Sequence, residues 1–180
     1  MVKWVILLRG VNVGGNTVIK MAELREQLEA AGFTAVKTLL QSGNIVVGSE
    51  LEDRASVADA VARVLSLHFG MSSKVIVLSS EEWSAIETEN PFPQESESKG
   101  KWVQVYFGSD SSQRKLAAEF ASRYAGPEKI VPTDNAIFVF FPIGIGVSAL
   151  FKEKQWAPIC VGLTARNWNT FRKISVELGR

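Results

Sequence analysis

Apolar and polar positions come in blocks along the first 80 residues, and each block has the period of one kind of element. The continuous apolar run within residues 2–8 predicts a buried strand. Apolar positions spaced by three and four predict helices over residues 21–31 and 53–69. Further β-rich runs predict strands at 36–40, 45–47 and 74–78. The order strand, helix, strand, strand, helix, strand is typical of a split βαβ plait, the ferredoxin-like arrangement.

The second half repeats this order less regularly. It has strand patterns at 102–107, 129–131 and 137–141 and helical patterns at 112–124 and 164–178, the last with Thr164 as its N-terminal cap. We therefore predict an α+β chain of two ferredoxin-like units, one over residues 1–80 and a less regular one over 81–180. The alternative is that the repeat has no deeper meaning, because any βαββ unit has a similar pattern at this level of detail.

Two segments join the halves. Residues 80–89 have a helical pattern, and S-S-E-E ahead of the first apolar residue is a capping sequence. The sequence N-P-F-P at 90–93 ends that helix. The polar stretch Q-E-S-E-S-K-G-K at 94–101 then predicts a linker or a loop tip.

Composition excludes several classes of protein. The 180 residues carry 20 basic and 19 acidic side chains, so bulk attraction to nucleic acid or an anionic membrane is not expected, while a local basic patch stays open. The single cysteine, Cys160, excludes an intrachain disulfide and fits a reducing compartment. The longest apolar stretch, 136–151, is interrupted by Pro142, Gly144 and Gly146, which excludes a spanning helix there. We expect a soluble cytoplasmic protein with no membrane or nucleic-acid partner, and its oligomeric state stays open.

The loop after the first strand, R-G-V-N-V-G-G-N-T-V-I-K, combines cations with glycine. It ends at a helix N-terminus, where backbone N–H groups and the helix dipole favour anions. In the functional interpretation Gly14 and Gly15 offer N–H groups and Asn12 orients a sugar or base. Arg9 and Lys20 supply charge-assisted hydrogen bonds. The alternative is a tight loop that needs glycine for positive φ, with Arg9 paired to a carboxylate. The loop is neither a P-loop nor a G-x-G-x-x-G fingerprint.

Two further polar clusters are candidates. The turn Q-S-G-N at 41–44 joins the two middle strands, and we expect it at the opposite end of the sheet from the Arg9 loop, so turn chemistry is the favoured interpretation. Arg166 and Asn167 are predicted at the start of the last helix, where they would face a phosphate or a carboxylate. The alternative is that they satisfy backbone groups while Trp168 anchors the helix in the core.

The usual catalytic and metal-binding sets are missing from the sequence. One histidine, His68, and one cysteine, Cys160, do not make a zinc site, and no G-x-S-x-G sequence is present. We expect no metal site and no cofactor, and whether the protein is an enzyme stays open. Any catalysis would rest on arginine, lysine, asparagine and backbone electrostatics.

Six blocks of the sequence resemble those of one bacterial family, the domain-of-unknown-function family 1697. They are L-L-R-G-V-N-V-G-G, K-M-A-E-L with G-F, L-L-Q-S-G-N-I-V, N-P-F, G-I-G-V-S and T-A-R-N-W-N-T. The resemblance implies ferredoxin-like α+β units and a cytoplasmic bacterial protein, and it implies no reaction and no catalytic residues. The candidate residues inside these blocks are Arg9, Asn12, Gly14, Gly15, Gln41, Ser42, Gly43, Asn44, Arg166, Asn167 and Trp168.

The chain departs from that family's pattern in two places. Leu39 stands where an aromatic residue is common. The loop at 142–150, which commonly carries acidic and basic residues in the family, here has Ile143, Val147 and Ala149. We therefore do not expect this loop to bind phosphate.

These observations favour a protein that binds a small anionic ligand, a nucleotide or a sugar phosphate, at the Arg9 loop. One alternative is a module that binds single-stranded nucleic acid through aromatic residues on its strands. The aromatic candidates are Trp4, Trp102, Tyr106 and Phe107. A second alternative is a protein-interaction module whose loops dock a partner.

Overall fold

The chain has an α+β fold with two four-stranded antiparallel sheets. A computed structural model describes residues 1–12 and 18–179. The described residues divide into two compact units. The first contains residues up to Trp83 together with the C-terminal segment from Lys173, and the second runs from Ser84 to Arg172. Whether the two units match separate domains with a boundary at residue 80 stays a prediction.

The first unit has the strand order β2-β3-β1-β4, with β1 in the middle between antiparallel partners. Helices follow β1, β3 and β4, so the chain order is the one predicted from the sequence. The strands are β1 (Val2–Leu8), β2 (Thr34–Leu39), β3 (Asn44–Ser49) and β4 (Val75–Ser79), and the helices are α1 (Met21–Ala30), α2 (Arg54–Phe69) and α3 (Ser80–Thr88), which runs past the unit boundary.

Helices α1 and α2 pack on one face of the first sheet. Leu24 and Leu28 of α1 and Val61 of α2 are fully buried, in one apolar cluster with Ile6 of β1. Val5, on the other face of β1, is fully buried as well. Burial on both faces explains why β1 has a continuous apolar sequence instead of an alternating one.

The second unit has the strand order β6-β7-β5-β8, which repeats the order of the first sheet. Between β7 and β8 the chain forms short turns in place of a long helix, which agrees with the weaker pattern of this half. Its elements are α4 (Pro93–Lys99), β5 (Val103–Phe107), α5 (Ser111–Ala121), β6 (Lys129–Pro132), β7 (Ile137–Phe140), α6 (Trp156–Ile159), β8 (Thr164–Asn167) and the first half of α7 (Trp168–Glu177), which belongs to the first unit from Lys173 on, with 3₁₀ turns at Gly100–Trp102, Ile145–Val147 and Leu150–Lys152.

Two sequence-based predictions in this unit are wrong. The stretch 94–101 is not a linker, because α4 occupies most of it, with Pro93 as its first residue and Ser96 on its buried face. Because the buried residue of α4 is a serine, the sequence lacks the apolar periodicity that would have predicted this helix. Residues 164–167 are not helical and Thr164 is not a helix cap, because β8 pairs with β5 over these positions. The β-branched Thr164 suits a strand.

Within the described ranges, none of the helices combines the length and apolar character needed to cross a membrane.

Candidate functional site

The loop after β1 and the turn between β2 and β3 lie at the same end of the first sheet. Strand β3 runs antiparallel to β1 with Leu7 opposite Asn44, so the start of β3 lies beside the end of β1. The backbone N–H of Leu8 donates to the carbonyl of Gly43 at 2.8 Å. The prediction that the two loops lie at opposite ends is therefore wrong, because it overlooked the antiparallel pairing of β1 with β3.

The turn fits tightly against β1 because it contains Gly43. This glycine has φ of +71°, and a Cβ atom added there would lie 2.7 Å from the Cβ of Leu8. The next residue, Asn44, is fully buried, and its amide donates to the carbonyl of Leu39 at 2.9 Å and to Oγ of Ser42 at 3.0 Å. The asparagine thus closes its own turn, as the turn-chemistry interpretation predicted.

The side chain of Asn12 forms hydrogen bonds to Ile19, near the end of the Arg9 loop, and to Gln41 in the neighbouring turn. Its Nδ2 donates to the carbonyls of Ile19 at 3.0 Å and Gln41 at 2.8 Å, and its Oδ1 accepts the backbone N–H of Ile19 at 2.8 Å. Both amide protons are therefore used inside the protein. Asn12 has φ of 56°, a conformation that asparagine tolerates better than most residues.

Arg9, directly after the end of β1, and Lys74, directly before the start of β4, lie opposite each other. The register of these antiparallel strands places Leu8 opposite Val75, and the N–H of Arg9 continues it by donating to the carbonyl of Lys74 at 3.1 Å. Oγ of Ser73 donates to the carbonyl of Arg9 at 2.7 Å. Both cationic residues are exposed. Side chains directly opposite on an antiparallel pair share a face, with Cβ atoms roughly 4.5–5.5 Å apart.

Lys20, directly before α1, forms an ion pair with Glu23 at 2.9 Å. The hydrogen bond and the charge of Glu23 raise the pKa of Lys20 above its ordinary value. The pair is exposed, so its contribution to stability is small. Gly14 and Gly15, the predicted anion-binding glycines, lie outside the described residues.

Arg166 and Asn167 belong to the second unit and lie in β8, ahead of α7. Arg166 is only 9% exposed. Its Nη1 donates to Oγ1 of Thr164 and to the carbonyl of Ala165, both at 2.8 Å. Burial lowers the pKa of its guanidinium to about 10. Oδ1 of Asn167 accepts the N–H of Thr170 at 2.9 Å. Asn167 is therefore the N-cap of α7, which is the backbone-satisfying alternative.

Comparison with known proteins confirms the family to which the sequence was found similar. The family model described as "Protein of unknown function (DUF1697)" matches residues 1–138. The chain belongs to the DUF1697 family. Among solved structures it is similar to the conserved bacterial protein SP0830 from Streptococcus pneumoniae, at 26% identity and a TM-score of 0.76, over 100% of this chain and 99% of that one. Comparison with curated proteins gives no match.

In this DUF1697 protein most aromatic residues of the nucleic-acid alternative are buried. Trp4 is 4% exposed and Tyr106 is 7% exposed, and Phe107 is fully buried, so these rings have no face for a base to stack on. Trp102 differs from them. It is half-buried, with Nζ of Lys99 5.2 Å and Nζ of Lys101 5.4 Å from its ring centroid.

The described part of this DUF1697 chain holds no cluster of three histidine, cysteine or acidic side chains suited to a metal ion. Cationic and hydroxyl-bearing residues meet at the end of β1, where Arg9 is hydrogen-bonded to Ser73 and Lys74. Sequence reasoning placed Arg9 there and missed Ser73 and Lys74. The missing signal was the pairing of β1 with β4, which no local pattern contains.

Proposed function

We propose that this protein binds a small phosphate-bearing ligand, a nucleotide or a sugar phosphate, at the end of β1. The observation that carries the proposal is the placement of Arg9 directly opposite Lys74 on exposed strand ends. An anion bound beside both side chains would gain charge-assisted hydrogen bonds from the guanidinium and the ammonium group.

The surrounding loops supply polar groups in support of this role. The turn at 41–44 is joined to the Arg9 loop through Asn12, which brings Gln41 and Ser42 to the same end of the sheet. A phosphate needs several donors around it, and an arginine, a lysine and hydroxyl or amide groups are the donors that proteins commonly use.

A thermal-shift panel of inorganic phosphate, nucleotides and sugar phosphates tests the proposal. A ligand present at 100 times its Kd adds about 2.7 kcal/mol of stability. For a chain of this length that is a rise in Tm of roughly 5–10 °C. Titration calorimetry of the best compound then gives its Kd.

Arg9→Gln and Lys74→Gln keep the backbone hydrogen bonds between the two strands, so both variants are expected to fold. Each should weaken binding about tenfold, the value of one exposed charge-assisted hydrogen bond. Arg25→Gln, which removes an exposed cation from α1, is the matched control and should bind as the unchanged protein does. No shift across the panel, or equal affinity in all three variants, would refute the proposal.

We also infer that each unit is a ferredoxin-like plait and that the protein acts in the cytoplasm. The two sheets have equivalent strand orders, β2-β3-β1-β4 and β6-β7-β5-β8, and the first unit has the strand and helix order of that fold.

Expression of residues 1–80 and of 81–180 as separate chains tests the predicted domains. Two cooperative unfolding transitions from the fragments would support them, and unfolded fragments would not.

A further inference from the structure

A loop of the second unit exposes large apolar side chains. After β7, Ile143 is 58% exposed, Val147 is 68% exposed and Phe151 is 52% exposed. Single exposed apolar residues are ordinary, but several within one short loop form a patch that points to an interaction. These three residues, with Ile145 between them, are called the apolar tip below.

Packing beneath the loop fixes the conformation of the apolar tip. Gly144 has φ of +93°, and its Cβ position lies 3.7 Å from the ring of Trp102. The N–H of Gly144 donates to the carbonyl of Phe141 at 3.0 Å. The ring of Phe151 stacks on that of Phe141, with centroids 5.7 Å apart. The exposed side chains therefore project from a turn that is anchored on the sheet.

Lysines surround the base of the apolar tip. Lys99 and Lys101 both lie against the ring of Trp102, the residue on which Gly144 rests. Lys152 follows Phe151 directly and lies in the same exposed loop. The tip itself, residues 143–152, contains no acidic residue, while Glu153 follows Lys152 and Glu95 and Glu97 lie on α4 with Lys99. The apolar centre thus has lysines at its base although the whole chain has a net charge of only +1.

Against the expectation of no membrane partner that followed from the composition, we propose that the apolar tip and its lysine rim dock on an anionic lipid surface. A bilayer closes around exposed apolar side chains that enter it and so buries them on all sides, which a flat protein surface does not do. Tryptophan favours the headgroup level, where its apolar ring and polar N–H both find partners. Lysines near an anionic leaflet add attraction that decays within a Debye length. The proposal involves only residues of the second unit and is independent of the anion site at the end of β1.

Fluorescence of the full-length protein with lipid vesicles tests this docking directly. Of the five tryptophans, Trp4, Trp83, Trp156 and Trp168 are at most 7% exposed, so Trp102 is the one that a lipid can reach. With vesicles of 70% phosphatidylcholine and 30% phosphatidylserine, whose chains are brominated, we expect quenching of Trp102 that Trp102→Phe abolishes. Pure phosphatidylcholine vesicles, or added salt, should reduce the binding.

Variants of the rim and the tip separate charge from apolar insertion. One basic residue near an anionic surface is worth ~1 kcal/mol, so Lys99→Gln with Lys101→Gln should lower the partition coefficient roughly 25-fold. Ile143→Ser with Val147→Ser should lower it roughly tenfold or more, because a tip without methyl groups has little to insert. Lys115→Gln and Val161→Ser remove an exposed lysine and an equally exposed valine elsewhere in this unit, and should bind as the unchanged protein does.

Three results would overturn the proposal. The first is the absence of quenching with anionic vesicles, and the second is equal binding by the rim, tip and control variants. The third is a concentration-dependent dimer in light scattering that Ile143→Ser with Val147→Ser dissociates, because the tip would then be covered by a second copy of the chain. Equal Tm values for the tip variant and Val161→Ser ensure that lost binding is not lost folding.

Discussion

Replacing Gly43 with alanine tests the contact between the 41–44 turn and β1. Gly43 and Gly10 have the same φ of +71°, but an added Cβ at Gly43 would lie 2.7 Å from the Cβ of Leu8, whereas at Gly10 it would meet no described atom within 4 Å. The two substitutions therefore place an alanine at the same positive φ and differ in this contact. They form a matched pair within one end of the same sheet.

The expected magnitudes follow from these two terms. A left-handed conformation costs an alanine about 1–2 kcal/mol, and this is the whole loss expected for Gly10→Ala. Gly43→Ala adds an overpacking cost of about 1–3 kcal/mol. The cost is not relieved by a rotamer change, because the Cβ of Leu8 is fixed to the backbone of β1. The strands must move apart, which strains the hydrogen bond from the Leu8 N–H to the Gly43 carbonyl.

Urea unfolding followed by circular dichroism measures both losses, and differential scanning calorimetry checks them. At this chain length 1 kcal/mol corresponds to a shift in Tm of roughly 2–4 °C. Gly43→Ala should therefore unfold at least a few degrees below Gly10→Ala. Equal losses of stability in the two variants would show that the turn is not in close contact with β1 and would refute the close approach of Gly43 to Leu8.

Three further predictions concern buried or internally bonded groups. Glu128→Ala should lose about 1–3 kcal/mol, because the hydroxyls of Tyr124 and Ser148 both donate to this buried carboxylate. Burial tends to raise the pKa of Glu128, but the hydrogen bonds from Ser148, Tyr124 and its own N–H lower it overall. The contribution of Glu128 to the free energy of unfolding should therefore be present above about pH 4.5 and vanish as the pH falls through the lowered pKa. The alanine variant should lose less stability in acid than the unchanged protein. Burial raises the pKa of Cys160 to about 11, so iodoacetamide at pH 8 should alkylate it about a hundredfold more slowly than an ordinary thiol, and a rate equal to that of glutathione would contradict this. Asn12→Gly keeps the positive φ but loses three side-chain hydrogen bonds, so it should cost about 2 kcal/mol in urea unfolding, and an unchanged midpoint would show that the loop closes without them.

Local patterns in the sequence predicted most elements of the first unit, because those elements have strong periodicity. The apolar run of β1 and the spacing of Leu24 and Leu28 each have one good explanation. The patterns failed where a residue acts through a partner distant in sequence. Ser96 is the buried residue of α4 without being apolar, and Thr164 is in a strand because β5 lies beside it. No window of a few residues contains either fact.

The candidate site shows the same division between local and distant information. The loop composition predicted Arg9 and Asn12, but only the register of β1 with β4 places Lys74 opposite Arg9. The same register logic, applied to β1 and β3, would have corrected the expected separation of the two loops. A βαββαβ order with a hairpin in its middle contains enough information for this step, because β3 must run against β1 once they are neighbours.

The residues that meet at this end of the first sheet divide into two groups with separate roles. Asn12 and Asn44 use their amides inside the protein, and Gly43 supplies the close approach that joins the loops. Substituting them should change stability first and any binding only through it. Arg9 and Lys74 contribute to the sheet through backbone groups that any residue except proline has, so their side chains are not needed for that contact. Arg9→Gln should lose ligand affinity at an unchanged Tm, and Asn12→Gly should have a lower Tm. That result would show that Arg9 binds the ligand and that Asn12 stabilises the fold at the same end of the sheet. If instead both variants lost only stability, the residues at the end of β1 would have a structural role. Arg9 and Lys74 would then stabilise the sheet and would not bind an anion.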